Sequence, residues 1–184
     1  MVANQKDAQI WRDANIVTTD DDLKVDMEAV KYALWLDSRR CSAFFAEKIL
    51  LVEGPTEVAL ISYMRDQGML PTCDRVFILD AIGKYNIHRF MRLFGHFGIK
   101  HCVLYDGDKN SSKDALIDNT IESAKNNFTG EISKFDQDLE DFLGIGRTNK
   151  PHRKPQHVMF HISTGNYNDA LNQLANKVNE LFTT

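Results

Sequence analysis

The sequence predicts an α/β fold in which a central, mostly parallel sheet is flanked by helices, with an N-terminal helical arm and a C-terminal helical extension. Short apolar runs typical of buried strands alternate with stretches whose apolar residues recur at helical spacing. Glycine or proline separates one pattern from the next. Strands that alternate with helices in this way indicate βαβ units, and such units form a parallel sheet.

The individual elements follow from these patterns. Strands are predicted at 48–52, 75–79, 99–105 and, more weakly, 131–135. Pro55 suits the first position of the helix after the first strand, and Gly68 ends that helix. A helical arm is predicted from about Asp26 to Ser42, and an amphipathic helix over 167–181. The predicted divisions are an arm at 1–47, a catalytic core at 48–145 and a basic segment with the C-terminal helix at 146–184.

Length and composition set the broad class of protein. The chain has 184 residues, of which 43% are hydrophobic and 26% charged, as in ordinary globular domains. No apolar run is long enough for a membrane helix, and the first residues lack the apolar segment of a secretory signal. Three cysteines without CxxC spacing argue against a disulfide framework or a thiolate zinc site. We therefore expect a cytoplasmic protein.

The net charge, taken alone, argues against a basic nucleic-acid-binding coat. Lysine and arginine total 22 residues against 26 acids, which gives a formal charge of −4. The placement of the charges carries more information than their sum. Residues 142–168 contain no acid, whereas several acids follow predicted strands.

Two acids lie at the ends of predicted strands, where the chemistry of parallel sheets gathers. Glu53 follows the first strand and begins the motif Glu53-Gly54-Pro55-Thr56-Glu57. Asp106 follows the third strand and begins the motif Asp106-Gly107-Asp108. Carboxylates two residues apart in an extended segment point to one side and repel unless a cation compensates, and Mg²⁺ takes such oxygen ligands. An Asp-Gly turn also explains the second motif alone, and the helix dipole explains Glu57 alone. Glu53 at a buried strand end needs a partner, so together the motifs predict a metal site.

Other motif interpretations fail on particular residues. An EF-hand loop starting at Asp106 would need glycine where Ser111 stands and glutamate where Ile117 stands. A haloacid-dehalogenase-type start is undercut by Asn110 in the fifth place. Gly83-Lys84 is followed by Tyr85, so it is not a P-loop. The isolated histidines are expected to be core or surface residues: His88, His96 and His101.

The segment Phe44–Glu57, FFAEKILLVEGPTE, followed later by Asp106-Gly107-Asp108, resembles a Toprim domain. It is most similar to the Toprim nuclease half of the OLD (overcoming lysogenization defect) family of ATP-dependent endonucleases. The resemblance is strong over 43–108 and thinner to about Pro155. It implies a Toprim fold and DNA cleavage with divalent metals, a reaction usually coupled in that family to an N-terminal ABC-type ATPase.

The resemblance also implies roles for particular residues. Metal ligands would be Glu53, Glu57, Asp106, Asp108 and Glu140, holding two Mg²⁺ or Mn²⁺ ions. Glu53 and Lys154 would be catalytic, with Lys154 neutralising charge on the phosphate. Two assignments have competitors, because Asp138 could replace Glu140 and Lys150-Pro151 is a second Lys-Pro beside Lys154-Pro155.

The basic residues of the acid-free stretch are the expected DNA contacts: Arg147, Lys150, Arg153 and Lys154. They would bind backbone phosphates without reading bases. The expected partners are DNA and an ABC-type ATPase domain or subunit, with no membrane. Homo-oligomerisation stays open. The chain departs from the family in that none of its residues forms an ATP-binding P-loop.

The expected function is that of a divalent-metal-dependent DNA endonuclease, which nicks or cleaves phosphodiester bonds by a two-metal mechanism. It would be the nuclease domain of an OLD-family protein whose ATPase is absent from this chain. Alternatives are another Toprim activity, such as a primase, a topoisomerase-like enzyme or a ribonuclease, or a non-catalytic Toprim-like module that binds an ATPase partner. No tyrosine nucleophile is identifiable for the topoisomerase-like alternative.

Overall fold

The computed structural model describes residues 38–107 and 112–183, except for the side chains of Arg39, Ser112 and Lys113. Most of the predicted arm helix lies outside the described residues, and so does Asp108. The described end of the arm is helical over Ser38–Cys41 (α1) and continues as a 3-10 helix over Ser42–Phe45.

The sheet has four strands, all parallel, in the order β2-β1-β3-β4. The strands are β1 (Lys48–Val52), β2 (Val76–Asp80), β3 (Lys100–Tyr105) and β4 (Thr129–Lys134). Leu50 of β1 lies opposite Ile78 of β2 and Cys102 of β3, so β1 and β3 form the centre of the sheet. The predicted fold class is confirmed. β4 had the weakest sequence pattern because it is an edge strand without a fully buried residue.

Within residues 38–107 and 112–183, six further helices connect or follow the strands. They are α2 (Pro55–Asp66), α3 (Ile87–His96), α4 (Ser112–Ser123), α5 (Leu139–Leu143), α6 (Lys154–Thr164) and α7 (Asn168–Glu180). Pro55 is the first residue of α2, as predicted. Gly68 and Gly98 follow α2 and α3 with φ of 74° and 72°, the left-handed conformation that glycine adopts without strain. Helices α5 and α6 were not predicted from the sequence.

The side chains of β1 alternate between two separate cores. Ile49 and Leu51 pack with residues of α3 and α4, whereas Leu50 and Val52 pack with residues of α2, α5, α6 and α7. All four side chains are completely buried. A strand covered on both faces must be apolar at every position, and this explains the continuous run that predicted it.

Helix α6 packs against α2 and contributes to the same core as Leu50 and Val52. Its contacts run through Val158, fully buried, and Ile162, 7% exposed. This packing fixes the backbone of Lys154, the first residue of α6, with respect to the sheet. Residues of the predicted C-terminal segment thus share a core with β1. The division of the chain at 47 and 145 stays a prediction.

We predict an acid-sensitive stability that depends on His88, which is 1% exposed on α3. Burial lowers the pKa of His88 to about 3, and the positive charge of Arg89 acts in the same direction. Between pH 3 and the ordinary histidine pKa of about 6.5, this histidine is protonated in the unfolded chain but neutral in the folded chain. The free energy of unfolding should therefore fall as pH drops through this window, by up to about 1.4 kcal/mol per pH unit.

The measurement is urea unfolding of the wild type and of His88→Leu between pH 4 and pH 7. The substitution should flatten the slope without abolishing it. His101 remains, and burial lowers its pKa too, although its hydrogen bond to the Ile99 carbonyl opposes the shift. Identical slopes in the two proteins would contradict the prediction.

Candidate functional site

Glu53 and Asp106 lie side by side because they follow the two central strands of the sheet. Glu53 comes directly after β1, and Asp106 directly after β3. The register pairs Val52 with Leu104, so the two strands end at the same level. The backbone N–H of Asp106 donates a hydrogen bond to Oε2 of Glu53 over 3.3 Å. Asp106 is 5% exposed and Glu53 is partly buried, so the pair lies at the edge of the sheet where β1 and β3 end.

Glu57 enters the site from the first turn of α2. Its Oε2 accepts a hydrogen bond from the backbone N–H of Gly54 over 2.9 Å, which caps the helix. The side chain is 3% exposed. Burial raises the pKa of Glu57 above its ordinary value, although backbone hydrogen bonds and the charge of Lys154 oppose the shift. The capping role explains where the carboxylate lies, and the charge of Lys154 favours its ionised form against the effect of burial.

Glu140 and Lys154 come from the C-terminal part of the chain and meet the strand-end acids. Glu140 lies on α5 and is 3% exposed. The Nζ of Lys154 lies 2.8 Å from Oε2 of Glu140 and 3.6 Å from Oδ2 of Asp106. We call Glu53, Glu57, Asp106 and Glu140 the acid cluster, and Lys154 is its cation.

Lys154 remains charged in this environment. Burial lowers the pKa of its ammonium, but the hydrogen bond to Glu140 and the negative charges of Asp106, Glu57 and Glu140 outweigh that effect and raise it. The side chain of Lys154 is 27% exposed, so the residue lies at the edge of the buried acids. The acid cluster therefore has a lysine from its own chain as a neighbouring positive charge.

The competitors for two assignments lie elsewhere. Asp138 precedes α5 and accepts a hydrogen bond from the N–H of Asp141 over 2.8 Å, which caps that helix. Its other oxygen pairs with Nη2 of Arg147 at 2.6 Å. Lys150 is exposed, ahead of the 3-10 turn Pro151–Arg153. Neither residue joins the acid cluster, whereas Glu140 and Lys154 do.

The predicted DNA contacts divide into two kinds. Lys150 and Arg153 are exposed just before α6, where they are available to a partner. Arg147 is 56% exposed but already paired with Asp138, and Lys154 turns into the acid cluster. The basic surface beside the cluster is therefore smaller than the sequence suggested.

The residues of the acid cluster suit a divalent cation in chemical type. Within the described part of the chain, no three histidine, cysteine, aspartate or glutamate side chains already form a group able to hold a metal ion. The donors present are carboxylate oxygens, the ligands that Mg²⁺ and Mn²⁺ prefer. The ammonium of Lys154 between Glu140 and Asp106 shows that the pocket accommodates positive charge. Asp108, a further predicted ligand, falls outside the described residues.

A second group of charged residues, which the sequence did not suggest, lies next to the segments that carry Glu53 and Asp106. Asp118 of α4 lies 3.0 Å from Nζ of Lys84 through Oδ1 and 2.8 Å from Nζ of Lys134 through Oδ2. The hydroxyl of Tyr105 also donates to Asp118. Burial raises the pKa of Tyr105, and the charges of Asp118 and Glu122 add to the effect. We call these residues the Asp118 network: Lys84, Tyr105, Asp118 and Lys134.

The Asp118 network reaches both strand-end acids. Tyr105 directly precedes Asp106, and the N–H of Gly83, next to Lys84, donates to the carbonyl of Glu53 over 2.8 Å. The turn before Lys84 has Ile82 at φ 60° and Gly83 at φ 101°. A β-branched residue at positive φ is rare and strained, so the neighbouring contacts must hold this turn. In the sequence, only the pair Gly83-Lys84 drew attention to this network, and no rule of spacing relates that pair to Asp118.

Fold and site together define a class of protein: an α/β domain with buried carboxylates at the carboxyl edge of a parallel sheet, where such folds carry out their chemistry. Residues 44–108 match the family model described as overcoming lysogenization defect protein-like, TOPRIM domain, so this segment is similar to that family. The resemblance predicted from the sequence is confirmed over this segment. A comparison with curated proteins gives no match.

The family match indicates a Toprim-type function, and Toprim domains typically bind divalent metals and process nucleic acids. The matched segment contains Glu53, Glu57, Asp106 and Asp108. Glu140 and Lys154 lie beyond it, so their place in the cluster comes from the structure. None of the helices in 38–107 and 112–183 has the length and hydropathy that crossing a bilayer demands.

We predict that Asp118→Asn destabilises the protein far more than Lys134→Met does. Lys84 is 4% exposed and Asp118 16%, so removing the carboxylate charge leaves a buried ammonium without full compensation. Such a loss costs roughly 3 kcal/mol. Lys134 is 53% exposed, and its pair with Asp118 should contribute less than about 1 kcal/mol. Denaturant unfolding of both variants measures the difference, and equal small losses would contradict a buried network.

Proposed function

We propose that this protein is a divalent-metal-dependent DNA endonuclease that nicks or cleaves phosphodiester bonds. It would be the nuclease domain of an OLD-family protein whose ATPase does not lie within these residues. The observation that carries the proposal is the convergence of Glu53, Asp106 and Glu140 with Lys154 at one edge of the sheet. These residues come from separate segments, and the core gains nothing from burying their charges together.

The carboxylates would hold two Mg²⁺ or Mn²⁺ ions. Glu53, Asp106 and Asp108 would bind one ion, and Glu57 and Glu140 would help to place the second. When bound, such a pair of ions supplies an activated water, an electrophile for the scissile phosphate and charge relief on the leaving oxygen. The hydrogen bond from Asp106 N–H to Glu53 Oε2 orients one carboxylate in advance, and the cap from Gly54 orients Glu57.

Lys154 would donate a hydrogen bond to a non-bridging phosphate oxygen and stabilise the charge that grows there during cleavage. Its carboxylate neighbours raise its pKa, so the ammonium stays protonated at neutral pH. Its partly exposed position at the start of α6 leaves a path for a phosphate to approach.

Lys150, Arg153 and the exposed part of Arg147 would bind backbone phosphates beside the cluster. The net charge of −4 is compatible with this partner, because the acids are concentrated at the metal site and two bound ions would add about +4. Tyr105 is the tyrosine adjoining Asp106, and its burial and hydrogen bond to Asp118 disfavour it as a nucleophile for a topoisomerase-like reaction.

We expect Asp106→Asn and Glu53→Gln each to slow cleavage by about 100-fold or more, the size of effect seen when one charge-stabilising group is removed from an active site. The assay follows nicking of supercoiled plasmid DNA with Mg²⁺ or Mn²⁺, with an RNA substrate in parallel. Asp141→Asn is the matched control, since Asp141 is an exposed acid next to Glu140. If the variants cut as fast as the wild type while their circular dichroism is unchanged, the site assignment is wrong.

We also expect DNA binding to weaken steeply with salt if phosphate contacts dominate. The logarithm of the binding constant should fall against the logarithm of salt with a slope of about −0.9 per phosphate contact. The double substitution Lys150→Gln and Arg153→Gln should make the slope shallower by about 1.8. Binding is measured with Ca²⁺ in place of Mg²⁺, and Lys125→Gln, an exposed lysine just after the end of α4, is the control. A flat salt profile would exclude the proposed role of these residues.

A further inference from the structure

The ammonium of Lys154 lies where a divalent cation would bind the acid cluster. It is 2.8 Å from Glu140 Oε2 and 3.6 Å from Asp106 Oδ2, two oxygens that the proposed function assigns to metal ions. Glu57 also interacts with it electrostatically. An ammonium and a metal ion cannot share these oxygens at such distances, because two cations that close repel strongly.

A nearby cation stabilises the ionised form of the acid cluster whether or not a metal is present. Glu57, Asp106 and Glu140 are 3%, 5% and 3% exposed, so water screens their mutual repulsion poorly. A buried charge that loses its partner strongly destabilises a fold. Lys154 supplies the compensating charge from within the chain.

The side chain of Lys154 can change position without disturbing the fold. The backbone of Lys154 is held at the start of α6, and Val158 anchors that helix in the core. The lysine stem has four flexible carbons and ends in a compact charge, so rotation about its bonds moves the ammonium while the helix stays fixed. The Lys154 side chain is 27% exposed, so part of it already lies at the surface.

We infer that Lys154 is the built-in counter-cation of the acid cluster, which occupies the place of a divalent cation in the metal-free protein and leaves it when the cation binds. This inference rests on the proposed function, since the cation is the one that the nuclease would use. It gives Lys154 two positions: between Glu140 and Asp106 without metal, and facing the phosphate with metal. The ammonium of Lys154 thus becomes available to the substrate only when the metal site is filled. If DNA binds to the metal-free protein, neither metal ions nor Lys154 contact the scissile phosphate.

The first experiment measures the reactivity of lysines in the wild-type protein. Brief acetylation followed by peptide mass spectrometry gives the rate at each lysine with and without Ca²⁺, a hard divalent cation that takes carboxylate oxygen ligands as Mg²⁺ does. Lys154 should react several-fold faster with Ca²⁺, because its ammonium has left Glu140. Lys150, exposed in the same segment, is the internal control and should not change. An unchanged or slower rate at Lys154 would overturn the inference.

The second experiment is calorimetric titration of Ca²⁺ into the wild type, Lys154→Met and Lys150→Met. Both substitutions remove one positive charge, but only the first removes the competitor. Lys154→Met should bind Ca²⁺ several-fold more tightly than the wild type, whereas Lys150→Met should match it. The metal-free Lys154→Met protein should also unfold at a lower temperature and regain stability with Ca²⁺. Equal affinity in the wild type and Lys154→Met would overturn the inference.

The outcomes separate this inference from the proposed function. If the wild type binds Ca²⁺ and cuts DNA with Mg²⁺ but Lys154→Met binds Ca²⁺ no more tightly, only the inference fails. If Lys154→Met binds Ca²⁺ more tightly than the wild type but Mg²⁺ supports no DNA cleavage by the wild type, the inference stands and only the proposed function fails. If Lys154→Met binds Ca²⁺ and the wild type does not, Lys154 excludes the cation instead of leaving for it, and the inference fails. If neither protein binds Ca²⁺, both fail.

Discussion

The parallel pairing of β1 with β3 is the interaction on which the rest of the structure depends. Both strands are buried on their two faces, and the register fixes Val52 opposite Leu104. Their carboxyl ends therefore stop side by side, and Glu53 and Asp106 follow at once. The position of these two acids is therefore a consequence of core packing. The backbone at the site is fixed by the two central strands, so few additional contacts are needed to position Glu53 and Asp106.

Charge is the second constraint. The fold buries carboxylates near one another and offsets the cost with lysines brought from other segments: Lys154 for the acid cluster, and Lys84 with Lys134 for Asp118. Helix α6 delivers Lys154, and the core packing of Val158 fixes that helix. The electrostatics of the site consequently depends on residues well beyond the segment 44–108 that matches the Toprim family.

The local sequence pattern predicted those strands and helices in which apolar residues are continuous or regularly spaced. Strands β1, β2 and β3 were found because burial on both faces makes most of their residues apolar. Helix α6 was missed because only two of its residues, Val158 and Ile162, are buried, too few to show a clear apolar period. Helix α5 has five residues, too few to show a helical period, and it is defined mainly by the cap from Asp138.

The sequence by itself determined the parallel α/β class, the strand-end acids Glu53 and Asp106, and the Toprim resemblance, because each depends on residues near one another in the chain. Only the tertiary structure decided that Lys154 lies between Glu140 and Asp106, that Arg147 pairs with Asp138, and that Asp118 collects Lys84 and Lys134. These pairs join segments that no local period connects. Their partners are selected by the distance and burial that the packed core imposes.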